Sequence, residues 1–243
     1  MKVTKYPQSC FVIESSRKNV MIDYGGFMGT DFPPEKFFGV SAILVTHTHR
    51  DHLDKDAIKK FSEKGIKLYG NFDVVKQLSE INVGATEIKN RQKVSIAGFE
   101  IEPIDLPHCK ILKCNLCGDW LKPQNFLPGT RKCKFHPDAE PGQMDGPPNT
   151  GFTINGIFFH PGDGINLAGF KVKNVGIPIA GPTITYENAW QFAKDLGAKL
   201  VIAMHYDNPF APAHDRDPNE FAKLRPKNIV LKILKNGEST DIT

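Results

Sequence analysis

The chain has 243 residues, 40% of them hydrophobic and 24% charged, with a formal net charge of +4. These proportions exclude a disordered or fibrous chain and allow one domain with a sizeable core. A mild positive excess spread along the chain permits an anionic substrate without requiring one. No run nears the roughly 20 apolar residues of a membrane span, and residues 1–16 lack a long apolar leader segment. The expectation is therefore a cytoplasmic protein with no membrane partner.

In chain order, 11–14 and 19–23 read as strands flanking a polar turn. The apolar run 41–45 reads as a buried strand and leads directly into Thr46-His47-Thr48-His49-Arg50-Asp51-His52-Leu53-Asp54. Three histidines and two acids within nine residues, at the end of a strand, form a scaffold that delivers ligands to metal. His47 and His49 sit two apart, so an extended backbone points both the same way. Asp51 and His52 follow where the chain turns toward a helical pattern at 56–63, which aims this second pair at a neighbouring position. The spacing suits two adjacent ions better than one.

Helical periodicity recurs at 73–78, and strand alternation at 93–96 and 99–106. A hairpin is expected between 151–154 and 157–159, turning at Asn155-Gly156. An amphipathic helix at 186–196 is closed by Gly197, and a strand at 200–204, a short helix at 218–224 and a last strand at 229–234 follow. Two successive strand-then-helix halves suit a mixed α/β (α+β) fold, with two sheets covered by helices.

The run 46–52 carries T-H-x-H-x-D-H without a substitution, and here the chain resembles the metallo-β-lactamase superfamily. The resemblance implies a four-layer αββα sandwich with three more ligands at later strand ends. His108 after 99–106, Asp163 in the Gly162-Asp163 turn and His205 after 200–204 are the matching positions. By resemblance, His47, His49 and His108 hold one ion, Asp51, His52 and His205 hold the other, and Asp163 bridges. The run Val20 to Gly26 looks like the family's early strand ending near the metals, so Asp23 is expected to orient a ligand imidazole. Residues 175–182, with Met204-His205-Tyr206, are similar to the branch containing ascorbate-6-phosphate lactonase. Gly164 departs from the many members that carry Thr or Ser after the bridging acid.

Imidazoles and carboxylates suit zinc, and manganese or iron also fits these ligand types. Two ions about 3.5–4 Å apart share a hydroxide, lower its pKa toward ~7 and stabilise charge at the attacked centre. The expected reaction is hydrolysis of an ester, lactone or phosphodiester in a small substrate by hydroxide on a dinuclear zinc centre, with no Ser or Cys nucleophile. Asp51, Asp163 and His160, which precedes the Gly-Asp turn, are the candidate catalytic residues. His214 reads as an exposed loop histidine near the site. The alternatives are a nuclease acting on nucleic acid and a non-catalytic metal-binding module.

Residues 109–149 do not share this rhythm and hold four of the five cysteines, Cys109, Cys114, Cys117 and Cys133. Cys114-x-x-Cys117 and Cys133-x-x-His136 have the spacing of a tetrahedral structural zinc site. So short and polar a segment needs an ion as its organising centre. The expectation is one domain, 1–243, with a zinc-stapled insertion at 109–150 forming a lid over the site. Reduced thiols or disulfides are the alternatives, the latter disfavoured by the odd cysteine count. Cys109 is a substitute ligand or a neighbour of the catalytic metals, whereas Cys10 reads as a small buried side chain. Lys110, Lys113, Lys122, Arg131, Lys132 and Lys134 form a basic cluster able to meet phosphates, with Trp120, Phe126 and Phe135 for stacking.

Overall fold

The computed structural model describes residues 1–16, 18–119, 125, 127, 130, 132–181, 183–207 and 217–243. The sequence expectations at Trp120, Lys122, Phe126, Arg131, Pro182 and His214 lie outside the described residues. The first sheet contains β1 (Lys2–Lys5), β2 (Phe11–Ser15), β3 (Lys18–Ile22), β4 (Ala42–Val45), β5 (Lys67–Gly70), β6 (Thr86–Glu87) and β16 (Ser239–Asp241). Its order is β16-β1-β2-β3-β4-β5-β6. The second contains β7 (Val94–Ile96), β8 (Phe99–Asp105), β11 (Thr150–Ile154), β12 (Phe158–His160), β13 (Asn174–Pro178), β14 (Leu200–Met204) and β15 (Val230–Lys232). Its order is β15-β14-β13-β12-β11-β8-β7.

Each sheet is antiparallel on one side and parallel on the other. In the first, β3 to β6 run parallel; in the second, β12 to β15 do. Parallel neighbours need crossovers. Helices α1 (Lys55–Glu63) and α2 (Phe72–Ser79) lie in the connections of the first sheet, and α3 (Tyr186–Asp195) and α4 (Pro218–Lys223) in those of the second. Short polar side chains start them: Asp54 Oδ1 accepts from the Asp56 and Ala57 amides, and Thr185 and Asn188 cap α3 reciprocally.

Strand alternation builds the layers. Phe11, Ile13, Ile22 and Leu44 face Phe99, Ile101, Phe152, Ile154, Ile202 and Met204 in the middle of the sandwich. Their neighbours Val12, Met21, Ile43 and Val45 turn outward onto Ile58 and Phe61 of α1 and Val74 of α2. On the far side Val175, Ile177, Val201 and Ala203 pack against Trp190 and Phe192 of α3 and Phe221 of α4. Each such large side chain contributes about 1.5–3 kcal/mol on full burial, so the three apolar layers are the main stabilising mass. The fold is the expected mixed α/β sandwich with helices on both outer faces.

The hairpin turns where Asn155-Gly156 directs: φ is 54° and 63° at the two residues, and the Ile157 amide donates to the Ile154 carbonyl at 3.0 Å. In the two large sheets, β1, β5, β6, β13 and β16 have no counterpart among the expected elements. β1 reads Lys-Val-Thr-Lys and β13 contains Gly176 and Pro178, compositions that conceal a buried strand. Among the described residues no helix is long and apolar enough to cross a membrane.

Lys5 explains why β1 is internal despite its charge. Its side chain is fully buried, and Nζ donates to Asp207 Oδ2 and Asn236 Oδ1, both at 2.9 Å, and to the Tyr6 carbonyl at 3.1 Å. Asp207 Oδ1 also accepts from the Gln8 amide at 2.8 Å, tying the end of β1 to the chain leaving β14. Removing one member of a buried pair leaves the other charge uncompensated. Lys5→Met is therefore expected to cost about 3 kcal/mol of stability, read as a lower urea midpoint with unchanged slope.

Candidate metal centre

The candidate ligands converge on one edge of the sandwich, where strand ends from both sheets meet. There the Thr150 amide of the second sheet donates to the Thr46 carbonyl of the first at 3.0 Å. From the end of β4 the chain delivers His47 and His49, then turns back as the His52 and Leu53 amides both donate to the His49 carbonyl. That turn presents Asp51 and His52 before Asp54 caps α1. His108 follows β8, Asp163 follows β12, and His205 follows β14. Asp23 and His205 take positive φ, 54° and 61°, conformations costing of order 1–3 kcal/mol that persist only where surroundings hold them.

Hydrogen bonds behind the imidazoles assign their tautomers. His52 Nδ1 donates to Asp23 Oδ2 at 2.6 Å, which turns its Nε2 toward Asp163 Oδ1, 3.2 Å away. Asp23 also accepts from the Thr46 amide at 2.8 Å and from Thr46 Oγ1 at 2.7 Å. Since Thr46 spends its hydroxyl proton there, its oxygen accepts from His47 Nδ1 at 3.0 Å. His108 Nδ1 donates to the Cys109 carbonyl at 2.5 Å. In all three rings Nε2 is left facing inward, the orientation in which an imidazole binds metal.

The donor atoms gather as His47, His49 and His108; as Asp51, His52 and His205; and as His47, His52 and Asp163, those of each group lying within 4.8 Å of one another. His205 Nε2 stands 3.0 Å from Asp51 Oδ2 and 3.4 Å from Asp163 Oδ2, and His108 Nε2 stands 3.7 Å from the latter atom. Asp163 thus reaches both histidine groups. Burial and then the neighbouring His52 and His108 push His47 well below its usual pKa, and burial with His108 lowers His49 to about 4. Burial also opposes charge on His205, but Asp163 and Asp51 outweigh it and raise the ring to about 9. Burial disfavours ionised Asp163, yet His205 and His52 hold it well below the carboxylate range.

The residues fit a metal on a second count. Nε2 of His47, His52 and His108 and Oδ1 of Asp163 are buried without a hydrogen-bond partner among the described residues. Each such atom costs about 1–3 kcal/mol if nothing satisfies it, and four at one spot are the mark of a cation site.

Three supporting residues have no signal of their own in the sequence. Asn149 donates from Nδ2 to the Leu106 and Pro161 carbonyls at 3.3 and 2.9 Å, and its Oδ1 accepts from the Asp163 amide at 3.3 Å. It thereby joins the turns carrying His108 and Asp163, although within Pro-Pro-Asn-Thr it reads as an ordinary loop residue. Asn71 caps α2 and also donates to the Thr46 and Pro148 carbonyls. Thr48 Oγ1 donates to Asp73 at 2.9 Å, fixing the ligand loop to α2.

His160 is fully buried: Nε2 donates to the Ser9 carbonyl at 2.7 Å and Nδ1 accepts from the Gly162 amide at 3.1 Å. Both ring nitrogens are thus engaged by backbone. Gly164 is explained by contact, since a Cβ there would lie 2.5 Å from Leu106 Cγ. Cys10 is buried in the outer layer beside Val12 and Met21. Cys109 is buried next to His108, and its sulfur lies within 4.8 Å of donor atoms of His108 and Asp163.

In the insertion, β9 (Ile111–Cys114) pairs with β10 (Pro141–Met144) as a two-stranded ribbon. Cys114, Cys117, Cys133 and His136 place their donors within 4.8 Å of one another, with His136 Nδ1 3.4 Å from Cys114 Sγ and 3.9 Å from Cys133 Sγ. Backbone amides of Cys117 and Leu116 lower the Cys114 thiol to about 6.

The sequence profile of the Beta-lactamase superfamily domain matches residues 2–205. A metal-dependent hydrolase of the UPF0173 group from Pyrococcus furiosus is 28% identical over the full length of both chains, 100% of each. A UPF0173 metal-dependent hydrolase from Polynucleobacter asymbioticus is 28% identical over 82% of this chain and 69% of its own. Among solved structures, the metallo hydrolase Igni18 of Ignicoccus hospitalis superposes with a TM-score of 0.68 at 19% identity, covering 98% of this chain and 97% of its own. The metallo-beta-lactamase fold protein YhfI of Bacillus subtilis does so with a TM-score of 0.65 at 14% identity, covering 98% of each. With its fold and its cluster of histidines and acids, the chain belongs to the metallo-β-lactamase superfamily and is a metal-dependent hydrolase.

Proposed function

We propose that the protein is a hydrolase of small, anionic esters, lactones or phosphodiesters that works with two zinc ions. The observation that carries this reading is the set of inward-facing, unpaired Nε2 atoms around the shared carboxylate of Asp163. His47, His49 and His108 would hold one ion, Asp51, His52 and His205 the other, and Asp163 both. When bound, such a pair supplies Lewis-acid polarisation of the bond under attack and activation of water. The four donors of the Cys-rich insertion suit a third, structural ion of the same element.

The chain's own residues supply orientation and proton handling. Asp23 keeps the proton of His52 on Nδ1, and the Cys109 carbonyl does the same for His108. Asp51 is the more exposed of the two central acids, its side chain 19% accessible against 5% for Asp163, so of the two it is the one within reach of a substrate. His160 holds the turn beneath Asp163 and takes no part in the chemistry. A nuclease reading would draw on the basic cluster of the insertion, but Lys110 is paired with Asp145 and Lys132 lies 3.9 Å from Glu140. The small-molecule reading is therefore the stronger.

The test is zinc content by mass spectrometry joined to turnover of phosphodiester, lactone and ester panels by the same preparation. Asp163→Ala is expected to lose metal and to slow turnover by more than about 100-fold, with the urea midpoint of the metal-depleted protein little changed. Full turnover by protein stripped of metal would refute the reading. His160→Gln separates support from chemistry: metal affinity should fall about 10-fold while the pH profile of the metal-loaded enzyme keeps its shape. A lost limb in that profile would return His160 to the reacting centre.

A further inference from the structure

Resting on the assignment of the paired site as the hydrolytic centre, we infer that zinc held by Cys114, Cys117, Cys133 and His136 braces the ligand His108 through the β9–β10 ribbon. The donors form two knuckles. The Gly118 amide donates to the Cys114 carbonyl at 2.8 Å, and the His136 amide to the Cys133 carbonyl at 3.3 Å. The three thiols are free rather than bridged, and Cys114 and Cys133 are buried. Three sulfurs and one imidazole are the tetrahedral donor set of a structural zinc.

Among the described residues the insertion has only a small apolar cluster of its own. Its apolar cluster consists of Leu112, Cys114 and Cys133, with Ala139 packed against it, while Leu116, Phe135 and Met144 are exposed. Two of the three buried members are themselves the proposed ligands. Without an ion, a core of this size cannot offset the entropy of ordering the ribbon.

The ribbon runs from that cluster straight to the hydrolytic site. Cys114 at one end of β9 pairs with Pro141, and Ile111 at the other pairs with Met144. One step further, Lys110 meets Asp145 in an ion pair, and the Thr183 hydroxyl anchors the Lys110 carbonyl at 2.8 Å. Next on the chain leaving β10, Gly146 packs closely against His108: a Cβ there would stand 2.5 Å from Nδ1 and 2.6 Å from Cγ. This backbone leaves no room for the imidazole to shift on that side, while the Cys109 carbonyl fixes Nδ1. Ordering of β10 by the distant ion therefore sets how firmly His108 is held.

The experiment uses the full chain, zinc counting, chelator competition and amide exchange. Cys114→Ser/Cys133→Ser is expected to lose one zinc per chain, to raise exchange in 111–114 and 141–144 at least about tenfold, and to release zinc from the paired site at least about tenfold faster. Gly146→Ala approaches the same link from the other side. It should keep the insertion's zinc, because it touches no thiol, yet release zinc from the paired site faster by a similar factor. A double variant with its full zinc complement overturns the inference. So does one that loses a single zinc with unchanged chelator kinetics for the others, and so does Gly146→Ala with wild-type kinetics. The two readings fail separately: turnover by metal-free protein refutes the hydrolytic centre, whereas the brace is judged on metal release alone.

Discussion

A buried carboxylate, Asp23, organises the rest of the centre. It accepts from the Thr46 amide, the Thr46 hydroxyl and His52 Nδ1, so that one anion without solvent contact fixes the end of β4, the rotamer of Thr46 and the tautomer of a ligand. An ionised acid in that position is tolerable only because all three donors converge on it. The order of dependence is therefore inverted relative to the sequence. The motif at 46–52 carries the candidate ligands, but an acid 23 residues upstream of Thr46 orients His52 among them. Thr46 extends that control one ring further, since its oxygen passes the same orientation to His47.

Legibility of the chain follows from how local each signal is. The run 46–54 announces itself because strand alternation and ligand spacing occupy a single window, and His108, Asp163 and His205 follow because each closes an apolar strand. The helices are legible through periodicity and caps, as at Asp54 and Thr185. β1 is not, because its interior lysine is made acceptable by Asp207 and Asn236, residues some 200 positions away. Asn149 and Asn71 are silent for the same reason: a buried amide that joins two ligand turns cannot be told from a loop asparagine until the turns are side by side. His160 shows the converse. Proximity to the Gly-Asp turn suggests chemistry, and the partners on its two nitrogens, Ser9 and Gly162, become visible only in the folded chain.

The two sheets are alike in plan, each with an antiparallel and a parallel side, but they contribute unequally to the centre. The first supplies a contiguous block of ligands and the acid that aims them. The second supplies isolated residues from three strand ends, each stabilised by a polar contact of its own: the Cys109 carbonyl for His108, Asn149 for Asp163, and Asp51 for His205. Isolated positions need more external support than clustered ones, and Asn149 supplies it to the turns carrying His108 and Asp163.

The short connection between β1 and β2 crosses this division. The Ser9 carbonyl accepts from His160 and the Gln8 carbonyl from the His205 amide, so a loop of the first half shapes two strand ends of the second. Neither half possesses a complete ligand set or the means to orient one. Contacts such as His160 with Ser9, separated by 151 residues, and His205 with Asp51, separated by 154, are slow to close because the entropy of the intervening loop must be lost first. The candidate ligand set is therefore complete only where both sheets are in place, so metal affinity reports on the docking of one sheet against the other.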